Sequence, residues 1–96
     1  MRGLEIVDLR WNQLDGLPDL SGCRDSIKIL FLDGNMIEQI REDWRDLKNL
    51  EIVSLVNNRI SHLKRLVLSD QLKSFGLQKN RIVVPEGSSF PAVVNF

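Results

Sequence analysis

One cysteine and one histidine among 96 residues set the first limits on this chain. Cys23 has no second thiol to pair with, which excludes the internal disulfide framework that staples many small secreted domains. It is expected as a small packed residue rather than a reactive one. His62 leaves no second imidazole for a typical zinc site or nucleophile–base set. H-E-x-x-H, C-x-x-C, G-x-x-x-x-G-K-S/T and G-x-G-x-x-G are all missing, so no metal and no cofactor is expected. No apolar run approaches 18 residues and no charged start leads into an apolar core, so neither a membrane span nor a signal peptide is read. There is no N-x-S/T sequon. The expected compartment is intracellular, cytoplasmic and reducing. Net charge is zero, with 13 basic and 13 acidic side chains, which argues against a general nucleic-acid or membrane binder.

What the chain does have is a recurring asparagine. Asn12, Asn35, Asn58 and Asn80 are separated by 23, 23 and 22 residues, and each closes the same apolar frame. The frames are Leu4, Val7, Leu9, Asn12, Leu14; Ile27, Leu30, Leu32, Asn35, Ile37; Leu50, Val53, Leu55, Asn58, Ile60; and Leu72, Phe75, Leu77, Asn80, Ile82. All twenty frame positions are filled, in a chain that is 43% apolar. Unrelated amphipathic strands would not carry an asparagine at a fixed offset each time.

The spacing has a physical reason. The second and third residues of each frame are two apart, so in an extended strand both point to one face. Val7/Leu9, Leu30/Leu32, Val53/Leu55 and Phe75/Leu77 are therefore the core pairs. The asparagine marks where the chain turns away. A buried amide offers two donors and an acceptor, enough to satisfy backbone groups of its own turn and of the next coil. Leaving such groups unpaired costs about 1–3 kcal/mol each. The four asparagines are thus expected as a structural ladder rather than as ligands.

Over residues 4 to 82 the frame resembles the leucine-rich repeat family. The Asn58, Ile60, Leu63, Leu66 spacing is most similar to the class found in intracellular phosphatase regulators, spliceosomal proteins and axonemal dynein light chains. The resemblance implies an α/β fold: a right-handed leucine-rich repeat solenoid with a parallel concave sheet of four to five strands and short helical or 3₁₀ convex segments. A single domain, 1–96, is expected, with repeats at about 4–26, 27–49, 50–71 and a shortened 72–96. Strands are expected near 5–10, 28–33, 51–56 and 73–78. Ile40, Trp44 and Leu47 at i, i+4 and i+7 predict a short helix in repeat 2, with Arg41, Glu42, Asp43 and Arg45 outward. Leu63 with Leu66 or Val67 predicts a briefer one in repeat 3. Pro18 and Gly22 predict turns or 3₁₀ pieces in repeat 1.

If alternate strand residues face the core, those between them face out on the concave side. These are Ile6, Asp8 and Arg10; Ile29, Phe31 and Asp33; Ile52, Ser54 and Val56; and Ser74, Gly76 and Gln78. Ile6, Ile29 and Ile52 line up as an apolar row, with Phe31 and Val56 beside it and Trp11 at a strand exit. Strand propensity alone can place β-branched residues there. An apolar row facing solvent also marks an interaction site, and Trp and Phe are favoured anchors. The expected guest is a helix or extended segment of a protein partner. Arg59 and Arg81 share one offset from their asparagines, with Lys79 near, and are candidates for an acidic peptide or a phosphate.

Charge is unevenly distributed. Residues 1–48 hold seven basic and ten acidic side chains; residues 49–96 hold six and three. The leading reading is a non-catalytic protein–protein interaction module, a small subunit or regulator of a larger complex. The alternative is a ribonucleoprotein component contacting RNA phosphates through the basic C-terminal half. Ser61, His62 and Asp70 have no expected cleft, and Glu42, Asp43 and Asp46 read as a solvated face rather than a metal site. The tail residues Val83, Val84, Pro85, Phe90, Val93, Val94 and Phe96 are apolar, and 90–96 is a candidate fifth edge strand. Such ends invite cover, from neighbouring subunits or from the rest of a longer repeat protein.

Overall fold

The computed structural model describes residues 3–40, 44–61, 63, 68–83 and 90–96. Five short strands, β1 (Ile6–Asp8), β2 (Ile29–Phe31), β3 (Ile52–Ser54), β4 (Ser74–Gly76) and β5 (Val94–Asn95), pair in chain order. Every pairing is parallel. A parallel sheet in sequential order requires each crossover to return the chain along one side of the sheet, so the molecule is a stack of coils. The register follows the frame: Ile6, Ile29, Ile52 and Ser74 are aligned, and so are Val7, Leu30, Val53, Phe75 and Val94. β5 fulfils the expectation of a fifth strand over 90–96, in shorter form.

The strands are half the expected length, for a local reason. Trp11, Gly34, Asn57 and Lys79, each immediately before a ladder asparagine, have positive φ of 58°, 72°, 59° and 59°. This left-handed residue swings the chain out of the sheet. Hydrogen bonding between coils nevertheless runs on past the strands. Leu9 and Trp11 donate to the carbonyls of Phe31 and Asp33 at 2.9 Å, and Leu32 and Gly34 to those of Ser54 and Val56 at 2.9 and 3.0 Å.

The asparagine ladder forms, but it reaches back rather than forward. The Asn58 amide donates to Leu55 O of its own turn and to Leu32 O of the preceding coil, both at 3.0 Å, while its Oδ1 accepts from Ile37 N at 3.2 Å. Asn35 repeats this with Leu32 O, Leu9 O and Leu14 N, and Asn80 with Leu77 O, Leu55 O and Ile60 N. The expectation of bonds to the following coil is corrected here. The turn leaves the sheet beside the coil already laid down, whose carbonyl and N–H are the unpaired groups within reach. Among the described residues Asn12 bonds only within its own turn, to Leu9 O and Arg10 O, and it is exposed.

The core is one cluster running through the stack. Ile27, Leu30, Leu32, Ile37, Leu50, Val53, Leu55, Ile60 and Phe75 are all within 1% of complete burial. Trp44 crosses from the convex side to meet Phe75 edge-to-face, with ring centroids 5.7 Å apart. The helix expected over 40–47 is not found among its described residues, which form turns. Leu47 N donates to Trp44 O and Leu50 N to Leu47 O, each at 3.1 Å. These i→i+3 bonds give a period of three, and Trp44, Leu47 and Leu50 are accordingly all buried. Arg45 is exposed as expected, while Arg41, Glu42 and Asp43 lie outside the described residues. So do Leu66 and Val67; Leu63 is buried. Repeat 1 carries the expected 3₁₀ turn, Ser21–Cys23, which buries Cys23. No helix among the described residues is long and apolar enough to cross a membrane.

The ladder makes a graded prediction. Asn58→Ala leaves Ile37 N without its partner inside the stack and takes one of two amide donors from Leu32 O and from Leu55 O, which keep Asn35 and Asn80, and should cost about 2 kcal/mol or more. Asn12→Ala, at an exposed turn, should cost about 1 kcal/mol or less. Urea denaturation of the two variants measures the difference.

Candidate functional site

The alternation that sends Val7, Leu30 and Val53 inward turns their neighbours to the open face of the sheet. Ile6 is 58% exposed on β1, while Ile29, Ile52 and Ser74, aligned with it on β2, β3 and β4, are half-buried. The next row is Asp8, Phe31, Ser54 and Gly76. Beyond it, at the strand exits, lie Arg10, Asp33, Val56 and Gln78, with Arg10 and Gln78 exposed and the two between them half-buried. The structure thus brings the open-face candidates onto one surface, an apolar row beside a polar one.

The polar row is wired in a way the one-dimensional pattern did not reveal. The Arg10 guanidinium grips the Asp8 carboxylate with two bonds, Nε to Oδ1 at 2.9 Å and Nη2 to Oδ2 at 2.6 Å. The same guanidinium lies 4.7 Å from the centroid of the Phe31 ring on the neighbouring strand. A cation over an aromatic face is attracted by the ring quadrupole. The Asp8 carboxyl is held below its ordinary 3.8, first by the side-chain bond from Arg10 and then by the backbone bond from Arg10 N. Ser54 Oγ donates to Asp33 Oδ2 at 2.8 Å, tying two more coils together. The i, i+2 spacing of Asp8 and Arg10 was the available signal, since such residues share a strand face.

Trp11 stands at the exit of β1, 71% exposed, with its ring laid against the Cα of Gly34. A Cβ at Gly34 would run into that ring, and the positive φ there also favours glycine. Sequence reading found Trp11 but not the seat beneath it. Arg59 and Arg81 occupy equivalent places on adjacent coils, their N–H groups donating to Ile37 O and Ile60 O at 2.9 and 3.0 Å. Both side chains and that of Lys79 are exposed.

Two features lie away from the open face. Glu5, Lys28, Glu51 and Lys73 alternate in sign along the coils just before the strands, with Lys28–Glu5 and Lys73–Glu51 pairs at 3.0 Å. A pocket of about 320 Å³ opens between convex segments, lined by Leu17, Pro18, Leu20, Trp44 and Leu47 among others. Ser61 is half-buried, Asp70 is exposed and His62 lies outside the described residues.

Two outcomes follow. Because the Asp8 pKa is depressed by folding, the stabilisation from its pairing is complete above the ordinary carboxylate range and is lost as pH falls through the lower folded value. An NMR titration should place Asp8 below 3.8 and Arg10→Gln should return it upward. Gly34→Ala should destabilise by about 1 kcal/mol or more and dislodge the Trp11 ring, read as increased iodide quenching of the exposed indole.

Comparison with known proteins gives two relatives. Leucine-rich repeats and immunoglobulin-like domains protein 3 of Homo sapiens is 31% identical over 96 residues, spanning 99% of this chain and 9% of that protein. Protein phosphatase 1 regulatory inhibitor subunit PPP1R7 homolog of Arabidopsis thaliana is 30% identical over 81 residues, spanning 84% of this chain and 24% of that protein. The chain therefore covers under a quarter of the length of either relative. No family model and no solved structure gives a significant match. The registered frame, the parallel stack with its asparagine ladder and the similarity to a protein named for the same repeat together establish that this chain belongs to the leucine-rich repeat family.

Proposed function

We propose that the chain is a non-catalytic protein-interaction module that holds a helix or extended segment of a partner protein on the open face of its sheet. The observation that carries this reading is the Ile6–Ile29–Ile52 row, left toward solvent and flanked by Phe31 and Val56. Contiguous exposed apolar surface is characteristic of interaction sites. Ile29 and Phe31 lie at its centre, where binding energy concentrates. Arg10, pinned by Asp8 and laid against Phe31, is a preorganised polar contact beside the apolar anchors. The plant relative is, by its name, a regulatory inhibitor subunit of protein phosphatase 1. A regulatory subunit of a larger intracellular complex is the corresponding role for this chain.

The ribonucleoprotein reading draws on the basic excess of residues 49–96. A net charge of zero and acidic N-terminal coils favour the protein reading over a polyanion.

The test is an Ile29→Asp, Phe31→Asp double variant. Both side chains lie on the open face, so circular dichroism should be preserved. Affinity for the partner recovered by co-purification with the native chain should fall by about 2 kcal/mol or more. Undiminished affinity would refute the open-face reading. Loss of the interaction on raising salt, with no effect of the apolar changes, would instead favour phosphate contacts.

A further inference from the structure

We infer that the loop edge, where the strands leave the sheet, is a second recognition surface. It takes an extended acidic segment of a protein partner, with an apolar side chain on Trp11 and carboxylates on Arg59, Lys79 and Arg81. The inference rests on the reading of the chain as a protein-binding solenoid and adds the chemistry of what it binds.

The first observation is a backbone position occupied at a cost. Residues 11, 34, 57 and 79 all take positive φ. Glycine and asparagine, found at 34 and 57, suit that conformation. A tryptophan is among the residues least suited to it. The backbone serves the fold there through Trp11 N donating to Asp33 O at 2.9 Å, a bond that most residues would supply. The ring itself rests on Gly34 and is 71% exposed. Backbone strain that displays a large aromatic face to solvent is the pattern of a binding position.

The second observation is positive charge on the same edge that no carboxylate among the described residues pairs with. Arg10, Lys28 and Lys73 each hold a carboxylate within 3.0 Å. Arg59, Lys79 and Arg81 are exposed and hold none among the described residues. Arg59 and Arg81 are one coil apart in equivalent places, and Lys79 lies two residues before Arg81.

Geometry selects the occupant. Coils are about 4.8 Å apart, so the Trp11 ring over the second coil precedes Arg59 on the third and Lys79 and Arg81 on the fourth. An extended segment running across the coils puts alternate side chains on one face, about 6.6 Å apart. The coil steps of about 4.8 Å are shorter than this, so the long Arg59, Lys79 and Arg81 side chains lean outward to reach acidic residues two and four positions beyond an apolar one. Charge favours a peptide over a nucleic-acid strand. Residues 1–48 hold ten acidic and seven basic side chains, so a strand with a phosphate at every step meets net like charge at the Trp11 end. A segment acidic at one end only does not.

The test uses the full chain and a fluorescein-labelled peptide carrying one leucine with glutamates two and four residues later, followed by anisotropy. Saturable binding is expected, lost when the glutamates are replaced by glutamines. Arg59→Glu with Arg81→Glu should weaken it about tenfold or more. Trp11→Asn, which suits the left-handed backbone, should weaken it similarly while circular dichroism stays native. Ile29→Asp should leave it unchanged, which separates this edge from the open face. The inference is overturned if the peptide does not bind, if the edge variants bind as the native chain does, or if Ile29→Asp weakens binding as much as they do. Tighter binding of a single-stranded oligouridylate would also overturn it.

Discussion

The side-chain amides of Asn35, Asn58 and Asn80 hold the structure in register. Each lies where a strand stops and the backbone must leave the sheet, so that carbonyl and N–H groups face the interior without a strand partner. One amide closes its own turn and satisfies a carbonyl and an N–H of the coil before it. Backbone polar groups sealed from water must be paired, and only a short side chain with both donors and an acceptor meets this demand at that point. The constant asparagine spacing is the covalent trace of this requirement. A coil that gained or lost a residue between amides would have to absorb the change in its convex segment. Those segments are where the repeats differ most.

From that constraint the open face of the sheet follows. Once the turns are fixed in register, the strands between them align residue for residue, and side chains at equivalent positions become rows. The inward rows fuse into one core that Trp44 closes from the convex side. The outward rows sort into an apolar stripe, a polar stripe bound together by the Asp8–Arg10 fork and Ser54–Asp33, and an exit edge with Trp11 and the basic side chains. Recognition by such a molecule depends on which residues occupy the outward rows, because the inward ones are committed to stability.

Much of this was legible in the frame. The strands' positions, their parallel order, the inward pairs and the outward rows all derive from period-two alternation interrupted at a fixed interval, and alternation is a property of the extended backbone itself. The convex side was less legible. Ile40, Trp44 and Leu47 carry a helical spacing, yet the described part of that segment closes in three-residue turns, because each side chain there answers to the depth of the core beneath it. Local propensity is weak beside that demand. The seat of Trp11 on Gly34 was likewise hidden, since nothing in the spacing of residues 23 apart says that one will rest on the other.

Frame, periodicity and composition by themselves determined that this chain winds into coils, which residues enter the core, and that an apolar row is turned outward. Tertiary structure alone decided how deeply each equivalent residue is buried. Leu4 and Ile27 hold the same frame position, yet Leu4 is 41% exposed and Ile27 fully covered. The same contrast separates Asn12 from Asn58. Burial in a stack is conferred by neighbours on both sides, and a neighbour is a fact of three dimensions. A repeat encodes its own shape, while its exposure is set by what lies against it.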